Sequence, residues 1–202
     1  YFTTIGIRNN LIMRTFREYF EDMETRVERI ALLPGGFKPP TKGHFNALRY
    51  LLNDADKGIV FIGGKVREGI TSEQSEKIWN IYAKYFDKPV KVVSVPNPVK
   101  AVYDFADEHL DTTLKVGAGG PRENEDGTVD EGDIKRYKYF EDNVEKYPYV
   151  NVVQIPSQEK GMRGSTVRKE IEKDMEQGLE YFVPEEVSIE DKESIEEILT
   201  GN

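Results

Sequence analysis

Five short runs of apolar and β-branched residues recur along the chain, at Arg29–Leu33, Ile59–Ile62, Val90–Val95, Leu114–Val116 and Val150–Ile155. Each is nearly continuous in apolar residues, as strands covered on both faces are. Helical spacing fills the intervals near 43–53, 71–86, 98–110 and 133–147, with a further helix near 165–178. Strand and helix alternating at this length predict an α/β fold: a doubly wound, five-stranded parallel sheet with right-handed crossovers. Such sheets bind ligands beyond the carboxyl ends of their strands.

Local signals support the helices. Thr71 with Gln74 is a capping box ahead of Ile78, Ile81, Tyr82 and Tyr85. Asn97–Pro98 places a capping residue and a first-turn proline before Val99, Val102 and Ala106. An N-terminal helix near 14–27 would carry Phe16, Phe20, Met23 and Val27 on one face. The expected organisation is an extension and helix over 1–27, the main domain over 28–178, and an acidic tail or helix over 179–202. Within that last stretch Ser188 can cap a helix whose Ile189, Ile195 and Leu199 are available to pack, and no motif residue falls there. Pro121–Gly132 reads as a polar loop, with Asp126–Gly127 as its turn.

Composition narrows the chemistry. The 202 residues contain no cysteine, which excludes disulfides, thiolate metal sites and a cysteine nucleophile. Histidine chemistry must use His44 or His109, the only two. His109, on the apolar side of a helix near its end, reads as packing. Ile134, Tyr137, Val144 and Tyr147 have core spacing rather than that of base-stacking groups. No carboxylate pair suggests a metal cage. The net charge of −9 is carried by 172–202, where eleven acids face Lys173 and Lys192 alone. An acidic end on a neutral body argues against nucleic acid and anionic membranes as partners. No apolar run is long enough to span a membrane, and a cytoplasmic location is expected.

Two stretches carry chemistry. Gly35-Gly36-Phe37-Lys38-Pro39-Pro40-Thr41-Lys42-Gly43-His44 directly follows the first strand. Gly35 and Gly36 let the backbone turn and approach a ligand. Gly43 and His44 open a helix whose free N–H groups favour an anion, and Lys38 and Lys42 add positive charge. The spacing is neither that of a P-loop nor GxGxxG. The second stretch is Gly161-Met162-Arg163-Gly164-Ser165-Thr166-Val167-Arg168, at the start of a helix. Ser165 and Thr166 can cap that helix or bind phosphate.

The first stretch resembles the (H/T)xGH signature of the nucleotidyltransferase superfamily, with Thr41 at the first position and His44 at the last. That superfamily has a Rossmann-like sheet. It includes nicotinamide mononucleotide and phosphopantetheine adenylyltransferases and glycerol-phosphate-type cytidylyltransferases. The second stretch is similar to its ISSTxxR or ISGTxxR signature: Gly164 and Arg168 match, Ser165 replaces Thr, and Arg163 departs from the usual Ser. The resemblance spans roughly 28–172. Thr15-Phe16-Arg17-Glu18-Tyr19-Phe20 is also similar to domains encoded by tailed phages.

The resemblance implies transfer of a nucleotidyl group from a nucleoside triphosphate, ATP before CTP, to a small phosphorylated acceptor, with Mg²⁺ held by phosphate oxygens and water. His44 and Thr41 would contact the α- and β-phosphates, and Lys38, Lys42 or Lys65 would offset their charge. Gly35, Gly36 and Phe37 would form the loop. Ser165, Thr166 and Arg168, with Arg163, would hold the β- and γ-phosphates. Gly117 and Gly119, in a turn after the fourth strand, would meet base and ribose. Arg136 matches the superfamily's Asp-x-x-Arg-Tyr region. The alternatives are a cytidylyltransferase, or a nucleotide-binding module without turnover that serves assembly or regulation.

Overall fold

The computed structural model describes residues 27–119, 134, 137–140, 142, 146–155, 162 and 164–201. Its elements run β1 (Arg29–Gly35), α1 (Lys42–Leu52), β2 (Lys57–Gly63), α2 (Ser72–Ala83), β3 (Val90–Val95), α3 (Pro98–Glu108), β4 (Thr113–Gly119), β5 (Val150–Ile155), α4 (Gly164–Lys173), α5 (Met175–Phe182) and α6 (Ile189–Thr200). The five strands form one sheet in the order β3-β2-β1-β4-β5, and every pairing is parallel. The order reverses between β1 and β4, so the carboxyl end of β1 lies at the switch point where doubly wound sheets bind ligands.

The apolar runs of the strands divide between two cores by their two-residue period. Ile30 and Leu32 face the side covered by Val102 and Ala106 of α3, where Phe140 is also buried. Ala31 and Leu33 face the side covered by Phe45, Leu48 and Leu51 of α1 and by Ile78, Trp79 and Tyr82 of α2. Both expected caps form. Gln74 N–H donates to Thr71 Oγ1 at 3.1 Å, while Thr71 N–H donates to Gln74 Oε1 at 2.9 Å. Asn97 Oδ1 accepts from the N–H groups of Val99 and Lys100, each at 3.1 Å.

Three expectations need correction. The glycines Gly117 and Gly119 are not in a turn. β4 continues through them, and they pair with Val153 and Ile155 of β5. The helix expected over 165–178 is two helices. Asp174 leaves helical geometry at φ −156° and caps α5 by accepting from Gln177 N–H at 3.0 Å. Gly178 then lets α5 close on α4, because a methyl there would lie 2.9 Å from the Cα of Ile171. Finally, Ile189 does not pack; it is one of the most exposed apolar residues, at 75%.

The acidic C-terminal stretch is helical and contributes to the core. Leu179, Phe182, Val187 and Ile195 are buried in the same cluster as α1 and α2. Ser188 caps α6 by accepting from Asp191 N–H at 3.2 Å. Asp191 receives hydrogen bonds from Lys84 Nζ and the Tyr85 hydroxyl, both at 2.7 Å, and Gln74 Nε2 donates to Ile198 O at 2.7 Å. Glu190, Glu193, Glu196 and Glu197 are exposed, while Ile195 is buried and Ile198 and Leu199 pack on the same core. Among the described residues no helix is long and apolar enough to cross a membrane. The N-terminal helix expected over 14–27 and the loop Pro121–Gly132 lie outside the described residues, apart from Val27.

Candidate active site

The site starts where β1 ends. Gly35 is the last residue of β1 and Gly36 begins the loop. Phe37 follows in left-handed backbone, at φ 49°, which is costly for a bulky side chain. Packing holds it there: Phe37 is buried, with its ring edge-on to His44 (centroids 4.9 Å apart) and to Trp79 (5.4 Å). The Lys38–Pro39 peptide is cis. The Tyr82 hydroxyl donates to Pro40 O at 3.3 Å, so α2 supports the loop from behind.

Thr41 caps α1 in extended backbone, and Phe45 N–H closes the first helical turn onto Thr41 O at 2.9 Å. Thr41 and His44 form a capping box at this helix start, the Thr41 side chain accepting from the His44 backbone N–H. Thr41 N–H donates to Nδ1 of His44 at 3.0 Å, and Thr41 Oγ1 lies 3.0 Å from the same nitrogen. A neutral imidazole whose Nδ1 accepts carries its proton on Nε2. His44 is thus a histidine fixed in ring orientation and tautomer by the residue three positions before it, with Phe37 against its ring.

The lysines separate by environment. Lys38 is buried, and its Nζ donates to Gly36 O and Gly63 O, each at 3.0 Å, tying the loop after β1 to the end of β2. Burial, and then the nearby Arg67 guanidinium, lower its pKa to about 8. Its ammonium therefore holds backbone carbonyls of the loop. Lys42 opens α1 and lines a cavity of about 440 Å³ with Asn46, Arg49, Pro184, Glu185 and Glu186. Lys65 is exposed beside a cleft of about 470 Å³ at the ends of β2 and β3, lined also by Gly64, Ser94, Val95 and Pro96.

The second stretch meets the first. Gly164, Ser165, Thr166 and Arg168 lie on α4. Arg168 Nη1 donates to Lys38 O at 2.8 Å, bridging the two motifs. A methyl on Gly164 would sit 3.6 Å from that same carbonyl and 3.1 Å from Arg168 Nη1. The other edge of the guanidinium is bidentate to Glu68: Nε to Oε2 at 2.7 Å and Nη2 to Oε1 at 3.0 Å. The pairing of Arg168 with Glu172, the ordinary surface alternative at i+4, is not the one formed. Ser165 is exposed and Thr166 half-buried at the start of α4.

Not every expected residue reaches this place. Gly117 is buried under α1, where a methyl would lie 2.6 Å from Leu51 Cδ1 and from Ile155 Cδ1. It lets the helix settle on the sheet. Gly119 is exposed at the carboxyl end of β4. Arg136 and Arg163 lie outside the described residues. Sequence reasoning missed Glu68 and Trp79. Trp79 directly follows Ile78 on the apolar face of α2, and that spacing could have revealed it. His109 behaves as expected: Nδ1 lies 2.8 Å from Phe105 O and its ring stacks on Phe105 at 3.7 Å.

The fold is similar to that of several solved structures. The chain superposes on Plasmodium falciparum nicotinic acid mononucleotide adenylyltransferase complexed with NaAD, with a TM-score of 0.54 and 15% identity, covering 87% of this chain and 98% of that one. A putative nicotinate-nucleotide adenylyltransferase from Vibrio parahaemolyticus gives 0.54 and 14%, over 87% and 93%. Thermotoga maritima TmcAL bound with alpha-thio ATP gives 0.52 and 12%, over 87% of this chain and 57% of that one. No protein-family model matches the chain, and no curated protein resembles it closely enough to count as a match.

Proposed function

We propose that the protein is a nucleotidyltransferase that transfers an adenylyl group from ATP to a small phosphorylated acceptor. The single observation that carries this is the contact between the two motifs, Arg168 Nη1 on Lys38 O at 2.8 Å. It joins residues 130 positions apart close to the start of α1, and a helix N-terminus at a switch point suits a polyphosphate, which supports this reading.

In the proposed step an oxygen of the acceptor phosphate attacks the α-phosphorus in line. The new O–P bond forms as the bond to the α–β bridging oxygen breaks, and pyrophosphate leaves with that electron pair. No protein nucleophile is required. The chain's part is positioning and charge stabilisation. His44 Nε2–H and the N–H groups opening α1 donate to the α- and β-phosphates. Arg168, Ser165 and Thr166 hold the departing pyrophosphate. Lys42, at the start of α1, or Lys65, exposed at its cleft, offsets charge on the phosphates. Among the described residues no three acidic or histidine side chains gather to form a metal cage. Mg²⁺ would ride on phosphate oxygens and water, offsetting their charge.

The likeness to nicotinate-nucleotide adenylyltransferases makes nicotinate mononucleotide the first acceptor to try, ahead of phosphopantetheine and phosphorylated sugars or polyols. The test is pyrophosphate release with each nucleoside triphosphate against that acceptor panel. Release with ATP and one acceptor is expected. Release with CTP alone would make the protein a cytidylyltransferase. ATP binding with no release across the panel would overturn the enzyme reading in favour of a nucleotide-binding module.

A further inference from the structure

The turn between β2 and α2 holds a side chain that the proposed reaction does not use. Arg67 and Ile70 exchange both backbone hydrogen bonds, at 3.1 and 3.0 Å. Between them Glu68 (φ 47°) and Gly69 (φ 80°) lie in left-handed backbone, a mirror-image turn that reverses the chain within two residues. Glycine adopts that geometry freely; glutamate does so at a cost. Ile70 anchors the base of the turn in the core. The tip is unpacked, since a methyl on Gly69 would meet nothing within 4 Å.

From that tip the Glu68 side chain, 62% exposed, gives both carboxylate oxygens to Arg168, whose side chain is only 11% exposed. The bidentate fork between guanidinium and carboxylate is also the geometry in which a guanidinium grips two phosphate oxygens. Nε and Nη2 cannot serve both anions at once, and the two anions repel each other. The third contact, Nη1 to Lys38 O, is on a different nitrogen and is compatible with either partner.

We infer that Glu68 competes with the nucleotide's polyphosphate for Arg168. Its carboxylate keeps the guanidinium oriented, and must leave the Nε–Nη2 edge before phosphate oxygens can take that edge. On the return its re-entry helps to expel pyrophosphate. This rests on the reading above that Arg168 is a polyphosphate ligand, and makes Glu68 a residue that sets affinity without touching the reacting atoms.

The test is calorimetric titration of the full chain with inorganic pyrophosphate, in wild type, Glu68→Gln, Arg168→Gln and the double variant. Glu68→Gln is expected to bind roughly three- to tenfold tighter, because removing a competing closed state raises apparent affinity by the inverse of the open fraction. Arg168→Gln is expected to weaken binding, and in that background Glu68→Gln should give little or no gain. An unchanged or weaker Glu68→Gln, with Arg168→Gln still weakened, overturns the competition and leaves the site standing. A gain that persists undiminished without Arg168 also overturns it, since long-range charge would then explain the effect. Pyrophosphate binding that is absent throughout, or indifferent to Arg168→Gln, overturns the site itself. Thermal melting checks each fold, and Glu68→Ala replaces any Glu68→Gln that fails to fold.

Discussion

The ring of Phe37 lies over the Cα of Gly35, so close that a methyl on Gly35 would come within 2.5 Å of Cζ and 2.6 Å of Cε1. Phe37 cannot retreat, because it is wedged between His44 and Trp79. Gly35→Ala should therefore cost about 1–3 kcal/mol, as overpacking does. It should also disturb His44 through Phe37. Gly64→Ala is the control, since its methyl would meet Val95 O at an ordinary 3.6 Å. Urea unfolding of both variants measures the difference.

His44→Ala should lower turnover by about 10²–10³-fold, the effect of losing one donor to a developing oxyanion, with the fold retained. His44 is only half-buried at the helix start, so circular dichroism should be unchanged. Pyrophosphate release is the assay, and near-normal turnover in a folded variant would remove His44 from the mechanism.

Lys38 makes stability depend on pH in a defined direction. Its pKa is lowered from 10.5 to about 8, chiefly by burial. Between these values the unfolded chain holds a proton that the folded chain has released, so stability contributed at this residue increases as pH rises from about 8 toward 10.5. Below pH 8 the burial penalty on the charged form is fully present. The difference in unfolding free energy between wild type and Lys38→Met should therefore shift in favour of wild type on going from pH 7.5 to 9.5. A difference that is flat with pH would contradict the assignment.

The acidic end should matter to stability rather than to chemistry. Ile195 is fully buried against the α1–α2 core, so Ile195→Ala should cost about 2–4 kcal/mol, in the range for emptying a packed site. Ile189→Ala, at an exposed position, should stay within about 0.5 kcal/mol. Truncation after Pro184 should lower the melting temperature while turnover per folded molecule persists. Thermal unfolding and pyrophosphate release together separate the two effects.

What the sequence made legible was short-range. Thr71 with Gln74, and Asn97 with Pro98, are separated by at most one helical turn, and both caps form as expected. Continuous apolar runs marked the five strands because a parallel sheet buries both faces. The pairing of Thr41 with His44 lies within a single motif. Less accessible was anything that depends on which distant segments meet. Gly117 looked like a turn residue, yet the space it vacates is filled by Leu51 and Ile155 from two other elements. Lys38 looked like a free cation, but the carbonyl it reaches on Gly63 lies 25 positions away. Glu68 and Arg168 are separated by 100 positions, and no periodicity links them.

Lys38 is where these separate parts share one residue. Its ammonium holds Gly36 O and Gly63 O, while its own carbonyl receives Arg168. A force applied at the guanidinium, by carboxylate or by phosphate, therefore passes through a single peptide to the ends of both β1 and β2. Variants of the two motifs are then expected to be non-additive, because each shifts the common support of the other. The loop after β1, the end of β2 and the start of α4 are thus tied together through one buried lysine.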